Sequence, residues 1–206
     1  MSGLLALADG DGLRELLEGF GARVIAGRPV PATFELLAAI HAVDAREVVV
    51  LANGPEALEA VQRAAALSHI PVTVIATGSP QAGLAAAAAH VAAHRAADNT
   101  AAMSAAVDRV RTGSVGPADH DDPDGRFAAG DALGLVDSEP VAWGDPADTL
   151  RAVLARLGAG AELVSCLSGA APPLDDAAVR ALAAGGVPLT QTVGGQATPW
   201  WLLSAQ

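Results

Sequence analysis

The chain has 206 residues, of which 51% are hydrophobic and 17% charged, a balance that excludes a disordered polypeptide. All 12 basic residues are Arg and stand against 23 acidic ones, for a net charge of -11; such a field repels phosphate backbones and anionic lipid surfaces, and the lack of Lys removes Schiff-base chemistry and a P-loop lysine. A single Cys cannot form an internal disulfide, and with no leader-like N-terminus and no apolar stretch long enough to span a bilayer, the expectation is a cytoplasmic protein without a membrane span, a metal or nucleic acid.

The first hundred residues alternate strand and helix signals. Leu4 to Ala8 is a short apolar run closed by Asp9-Gly10-Asp11-Gly12, and Leu13, Leu16, Leu17 and Phe20 then recur at helical spacing until Gly21. Arg23 to Ala26 is a second strand, and Thr33 stands as N-cap of a helix with Leu36, Leu37, Ile40 and Val43 on one face. Val48 to Leu51 is an uninterrupted apolar run, three of its four residues β-branched, as in a strand covered on both faces. Asn53 then caps a helix opened by Pro55; Val72 to Ala76 repeats the pattern, with Ser79 as cap and Pro80 in the first turn. Four strands joined by helical crossovers imply a doubly wound parallel sheet.

Leu84 to Val110 is Ala-dominated and helical by propensity, with an interruption expected at Asp98-Asn99. Beyond Gly113 the pattern changes. A polar loop from Gly116 to Gly125 separates two β-type segments, and Asp137-Ser138-Glu139-Pro140 marks a hairpin between Ala132 to Val136 and Val141 to Trp143. Pro146 opens a helix bearing Leu150, Val153, Leu154 and Leu157. Leu163 to Leu167 reads as a strand, Asp175 to Ala184 as the last helix, and Pro188 to Val193 and Trp200 to Ser204 as closing strands. The expectation is an α/β fold of two lobes: residues 1–112 around the parallel sheet, and residues 113–206 as a smaller mixed α/β lobe with a hairpin.

Several motifs, in this order along almost the whole chain, resemble the C-terminal domain of the fatty acid kinase A family, also called dihydroxyacetone-kinase-like or Dak phosphatase proteins. They are Gly12-Leu13 with its helix; Pro31, Thr33, Leu36, Leu37 and Ile40; Glu47-Val48-Val49-Val50-Leu51 with Asn53; Thr77, Ser79 and Gly83-Leu84; Gly134-Leu135-Val136-Asp137; and Gly194-Gly195-Gln196 followed by Pro199-Trp200-Trp201-Leu202. The resemblance implies a fold like that of the two-lobed fatty-acid carrier. It further implies a role in docking that carrier subunit while a separate ATP-binding domain, with ATP and magnesium, phosphorylates the fatty acid on its carboxyl group. A counterpart of that domain is not expected within these 206 residues, as for an excised domain or a free-standing relative, so no cofactor is expected on the chain and no catalysis by it alone. It also departs from the family. A Gly-Gly-Gln-Thr-Met-Asn-Pro segment has become Ala26-Gly27-Arg28-Pro29-Val30-Pro31, and a turn Arg has become Gly78. A docking module tolerates such losses of polar groups better than an active site does.

Three strand-to-helix turns, Asp9 to Gly12, Asn53 to Pro55 and Thr77 to Pro80, emerge together at the carboxyl edge of a parallel sheet, where ligands bind in open α/β folds. Asp11, Gly12, Arg28, Asn53, Thr77 and Ser79 are therefore the ligand or partner edge. Helix N-termini there suit a small anion, whereas Asp9 and Asp11 oppose one, and capping alone accounts for Asn53, Ser79 and Asp11. His90 and His94, at i, i+4, share a helix face without a third metal ligand. Cys166 lies in an apolar strand with nothing to activate it. Trp200 and Trp201 point to opposite faces of a strand, so one can enter the core while the other covers a helix or anchors a partner, the alternative being that both rings are covered internally. No catalytic set emerges. The leading expectation is a docking domain for the fatty-acid carrier; the alternative is a domain that binds a fatty acid or other small molecule in the cleft between the lobes.

Overall fold

The computed structural model describes residues Met1–Gln206, which fall into two compact units: Met1–Asp9 with Leu13–Val110, and Gly10–Gly12 with Arg111–Gln206.

In the first unit, β1 (Ser2–Leu7), β2 (Ala22–Ile25), β3 (Glu47–Leu51) and β4 (Val72–Ile75) form an all-parallel sheet in the order β2-β1-β3-β4. The crossovers are α1 (Asp11–Gly19), α2 (Thr33–His41) and α3 (Pro55–Leu67), with α4 (Pro80–Ala88) and α5 (Ala96–Arg109) after β4. Leu5, Leu7, Val48 and Val50 pack against Leu36, Ile40 and Val61 of α2 and α3. The alternate residues Leu4, Ala6, Val49 and Leu51 are equally buried, so the sheet is covered on both faces, as its unbroken apolar strands require.

Local departures from the sequence reading have local causes. α1 stops at Gly19, one residue before Phe20, which is 45% exposed. Ala32, not Thr33, is the N-cap of α2, and its N–H donates to Glu35 Oε2. The break in the Ala-rich region falls at 89–95, before Asp98-Asn99, because the Asn99 side chain accepts from Val91 N at 2.9 Å and donates to Val91 O at 3.0 Å. His90 and His94 therefore lie in a connection and share no helix face. Ser2 Oγ donates to His94 O and sits 3.2 Å from His90 Nε2, and burial holds the imidazole pKa of His90 below its usual value.

In the second unit, β5 (Arg111–Pro117), β6 (Ala132–Val136), β7 (Glu139–Gly144), β8 (Val164–Ser168), β9 (Leu189–Val193) and β10 (Trp201–Ala205) form a mixed sheet. Its order is β7-β6-β5-β10-β8-β9, antiparallel except for β8 with β9. α6 (Pro146–Gly158), capped by the Asp145 carboxylate, lays Leu150, Val153, Leu154 and Leu157 into a core with Val115, Val136, Trp201 and Leu203; α7 (Asp176–Ala183) adds Val179.

In the polar loop between β5 and β6, the carboxylates of Asp121 and Asp131 accept from Ala129 N and Ala128 N, and that of Asp122 holds the turn from 122 to 126. Asp122 is buried, and its Oδ2 accepts from Asp124 N, Arg126 N and Arg126 Nε while Oδ1 accepts from Arg126 Nη2 at 2.7 Å. The guanidinium also lies 5.5 Å from the centre of the Trp143 ring. The side-chain bonds from Arg126, opposed by desolvation and helped by backbone N–H donors, bring the Asp122 pKa down to about 2. Because the folded value lies below the unfolded one, this carboxylate holds the loop fully above about pH 4 and releases it as pH falls through about 2. Amide exchange of residues 122–127 should therefore accelerate between those limits beyond its intrinsic pH dependence. Asp122→Asn should show the fast exchange already at neutral pH; protection in that variant equal to the parent's would contradict the assignment.

Candidate functional site

The turns after β1, β2, β3 and β4 all open at the carboxyl edge of the parallel sheet. The winding direction reverses between β1 and β3, the position where doubly wound sheets hold ligands. That position is filled by the protein itself. Asn53, in the left-handed region at φ 56, donates from Nδ2 to Leu7 O at 2.8 Å. Its backbone N–H donates to Thr77 Oγ1, whose hydroxyl donates back to Asn53 Oδ1, both at 2.9 Å. Both residues are buried, and Gly83 of α4 sits so close that any Cβ there would overlap the Asn53 amide. Asn53 and Thr77 therefore form a clasp across β1, β3 and β4, with their polar atoms satisfied by one another. Asn53 does not cap α3; Gly54 occupies that position and Pro55 follows. Ser79 does cap α4, its Oγ accepting from Ala82 N at 3.2 Å.

Arg28 behaves differently. The carboxylate of Asp9 accepts from Gly27 N at 3.0 Å and Arg28 N at 3.1 Å, fixing the start of the loop from Ala26 to Ala32. The Arg28 guanidinium has no ion pair or hydrogen bond, and the loop ends in exposed Val30 and in Phe34, 72% exposed in the first turn of α2. Sequence reasoning took Asp9 only as a repellent for anions and overlooked Phe34. The signal for Asp9 was its place after a strand and before Gly10; the signal for Phe34 was its offset from the Leu36, Leu37, Ile40 stripe.

Asp11 and Gly12 group with the second unit, where Gly10–Gly12 lies against Gly194–Gln196. Gln196 is buried there, donating from Nε2 to Leu167 O and Pro199 O. Trp201 is fully buried in the core beside Val115 and Leu203, so it cannot serve as the interface residue the sequence suggested; Trp200 is half-buried against the same core. Cys166 is buried, and desolvation together with the negative charge of Asp176 pushes its thiol up to about 12, far from a nucleophilic thiolate. No group of three or more His, Cys, Asp or Glu side chains is placed to hold a metal ion, and no helix is long and apolar enough to cross a membrane.

An α/β chain with one parallel and one mixed sheet is the fold of the DegV proteins. A DegV family protein from Corynebacterium glutamicum superposes with a TM-score of 0.67 at 14% identity, over 99% of this chain and 95% of that one. A DegV family protein from Thermus thermophilus, described by its fatty acid binding, gives 0.63 at 14% identity, over 100% and 99%. The dihydroxyacetone kinase from C. freundii, solved with AMP-PNP and magnesium, gives 0.59 at 13% identity; this chain covers 48% of its length. In sequence, the chain belongs to the FakA-like C-terminal family, the C-terminal domains of fatty acid kinase A-like proteins, whose profile matches residues 3–203. No curated protein matches it in sequence.

Proposed function

We propose that this chain is a cytoplasmic docking module of a fatty acid kinase, binding the fatty-acid-carrier subunit so that a separate ATP-binding domain, with ATP and magnesium, can phosphorylate the acyl carboxyl group. The observation that carries the reading is the segment from Arg28 to Phe34. It presents an unpaired guanidinium, an exposed Val and the most exposed aromatic side chain of the chain, on a segment whose start is held by Asp9 and whose end is the first turn of α2. Aromatic and Arg side chains are enriched at the centres of protein interfaces, and a segment anchored beforehand loses less entropy on association. The polar groups at the neighbouring turns are committed to the Asn53–Thr77 clasp and to the Ser79 cap, which favours a protein surface over an anion pocket at this edge.

Calorimetric titration with the purified, fatty-acid-loaded carrier tests this. Phe34→Ala and Arg28→Ala should each weaken the complex by about 2 kcal/mol, about thirtyfold in Kd. Absence of a complex with the parent protein at about 100 μM, the concentration equivalent to a binding free energy of about 5.5 kcal/mol, would overturn the reading, as would parental affinity in both variants.

A second reading is that the chain itself binds a fatty acid. It is favoured by the fold shared with the Thermus thermophilus protein and with a DegV family protein from Eubacterium eligens loaded with heptadecanoic acid (TM-score 0.59, 12% identity, over 100% and 99% of the chains). Acyl chains retained in native mass spectra of the purified protein would support it; their absence after incubation with fatty acid would exclude it.

A further inference from the structure

The first unit holds a cavity of about 1150 Å3 at the amino edge of its sheet, the end opposite the turns discussed above. It is lined by the starts of β1 and β2, the end of α1 and the connection from α2 to β3. Leu4, Val24 and Val43 give it apolar walls, and its volume suits a drug-sized organic molecule.

Its charges are distinctive. Arg23 on β2 and Arg46 immediately before β3 both line it, and neither makes an ion pair or a side-chain hydrogen bond although the chain offers 23 acidic residues. Asp44 on the rim is likewise unpaired, and Glu18 is engaged by Arg14 at 3.8 Å. α1 ends at Gly19 and α2 at His41, so the carbonyl-bearing ends of two helices lie beside the same rim. Two guanidiniums thus attract an anion, while two carboxylates and two negative helix ends limit how much negative charge the cavity accepts. That balance suits a single carboxylate and disfavours a phosphoryl dianion. We propose that this cavity binds an amphipathic monocarboxylate, its head group held by Arg23 and Arg46 and its apolar body against Leu4, Val24 and Val43.

The site is independent of the docking reading but rests on the second one, fatty acid binding by this chain: acyl chains that still bind after both Arg residues are removed would overturn the site and leave that reading standing. Decanoate, used below its micelle concentration, is the probe for calorimetry and for amide shifts at Gly21, Ala22 and Ala45. The parent protein should bind decanoate in preference to decyl phosphate and decyltrimethylammonium. Arg23→Ala with Arg46→Ala should raise Kd about tenfold or more, whereas the paired Lys substitutions, which keep the charge but lose the planar fork, should raise it by less. Phe34→Ala, which tests docking, should leave decanoate binding unchanged, and the Arg23/Arg46 double variant should dock the carrier normally. No decanoate binding at millimolar concentration, equal binding by the double Ala variant with its unfolding midpoint intact, or tighter binding of the cationic amphiphile would each overturn the proposal.

Discussion

Asn53→Ala should destabilise the first unit by about 3–5 kcal/mol, from the loss of buried hydrogen bonds and from forcing Ala into the left-handed region. Two groups lose partners: the Leu7 carbonyl loses its side-chain donor, and the Thr77 hydroxyl loses its acceptor. The third contribution is backbone: φ 56 suits Asn and Gly and is strained for Ala. Asn53→Gly removes the strain but not the lost bonds, and should recover about 1 kcal/mol. Thr77→Val deletes only the hydroxyl and should cost about 1–2 kcal/mol. Because the two residues bond each other, the Asn53→Gly/Thr77→Val pair should cost less than the sum of its members. Denaturant unfolding measures the energies, and amide exchange at 4–8, 51–54 and 75–79 localises them to the clasp. Asn53→Ala within about 1 kcal/mol of the parent would show that the clasp contributes little, since one lost buried bond alone exceeds that. Under conditions where the fold persists, the Asn53→Gly variant should dock the carrier within a fewfold of the parent, because the clasp is not the binding surface.

The clasp also marks where the sequence was legible and where it was not. Apolar runs such as Val48 to Leu51, with Ser79-Pro80 and Pro146 as helix starts and Asp137-Ser138 at positive φ in the hairpin turn, carry their information within a few residues. These elements were readable because period, cap and turn chemistry are local. Asn53 looked like an ordinary cap, since Asn before Gly-Pro has that meaning locally, yet its amide bonds a carbonyl 46 residues earlier. Asn99 likewise looked like a helix breaker, but it stays inside α5 and instead captures the connection before it. Of two adjacent Trp residues, strand alternation could say that they diverge but not which one the core of the second unit would claim; the answer depends on α6 packing over Val115 and Leu203. Phe34 was legible as an offset from the stripe of its own helix, whereas the cavity beside Arg23 and Arg46 arises only when separate elements meet.

Two glycines of α1 should respond oppositely to the same added methyl group. Local propensity favours Ala over Gly at both positions. At Gly19 a Cβ meets nothing within 4 Å, so Gly19→Ala should be neutral or stabilising by about 0.5 kcal/mol. At Gly12 a Cβ would overlap the Val193 carbonyl oxygen and press on Gly194, atoms of the backbone that cannot rotate away as a side-chain tip could. Gly12→Ala should therefore cost about 3 kcal/mol or more, at the upper end of overpacking penalties. It should also speed amide exchange at 193–196, where the Gly194 and Gly195 N–H groups donate to Ser168 O. Propensity and packing thus predict opposite signs at Gly12, so the measurement decides between them. Stability of Gly12→Ala equal to or above the parent's would mean that the turn from Gly10 to Gly12 is not held against Gly194–Gln196. A loss confined to Gly12→Ala, with Gly19→Ala unaffected, would show that this short glycine turn is read by tertiary contact and not by the helix it begins.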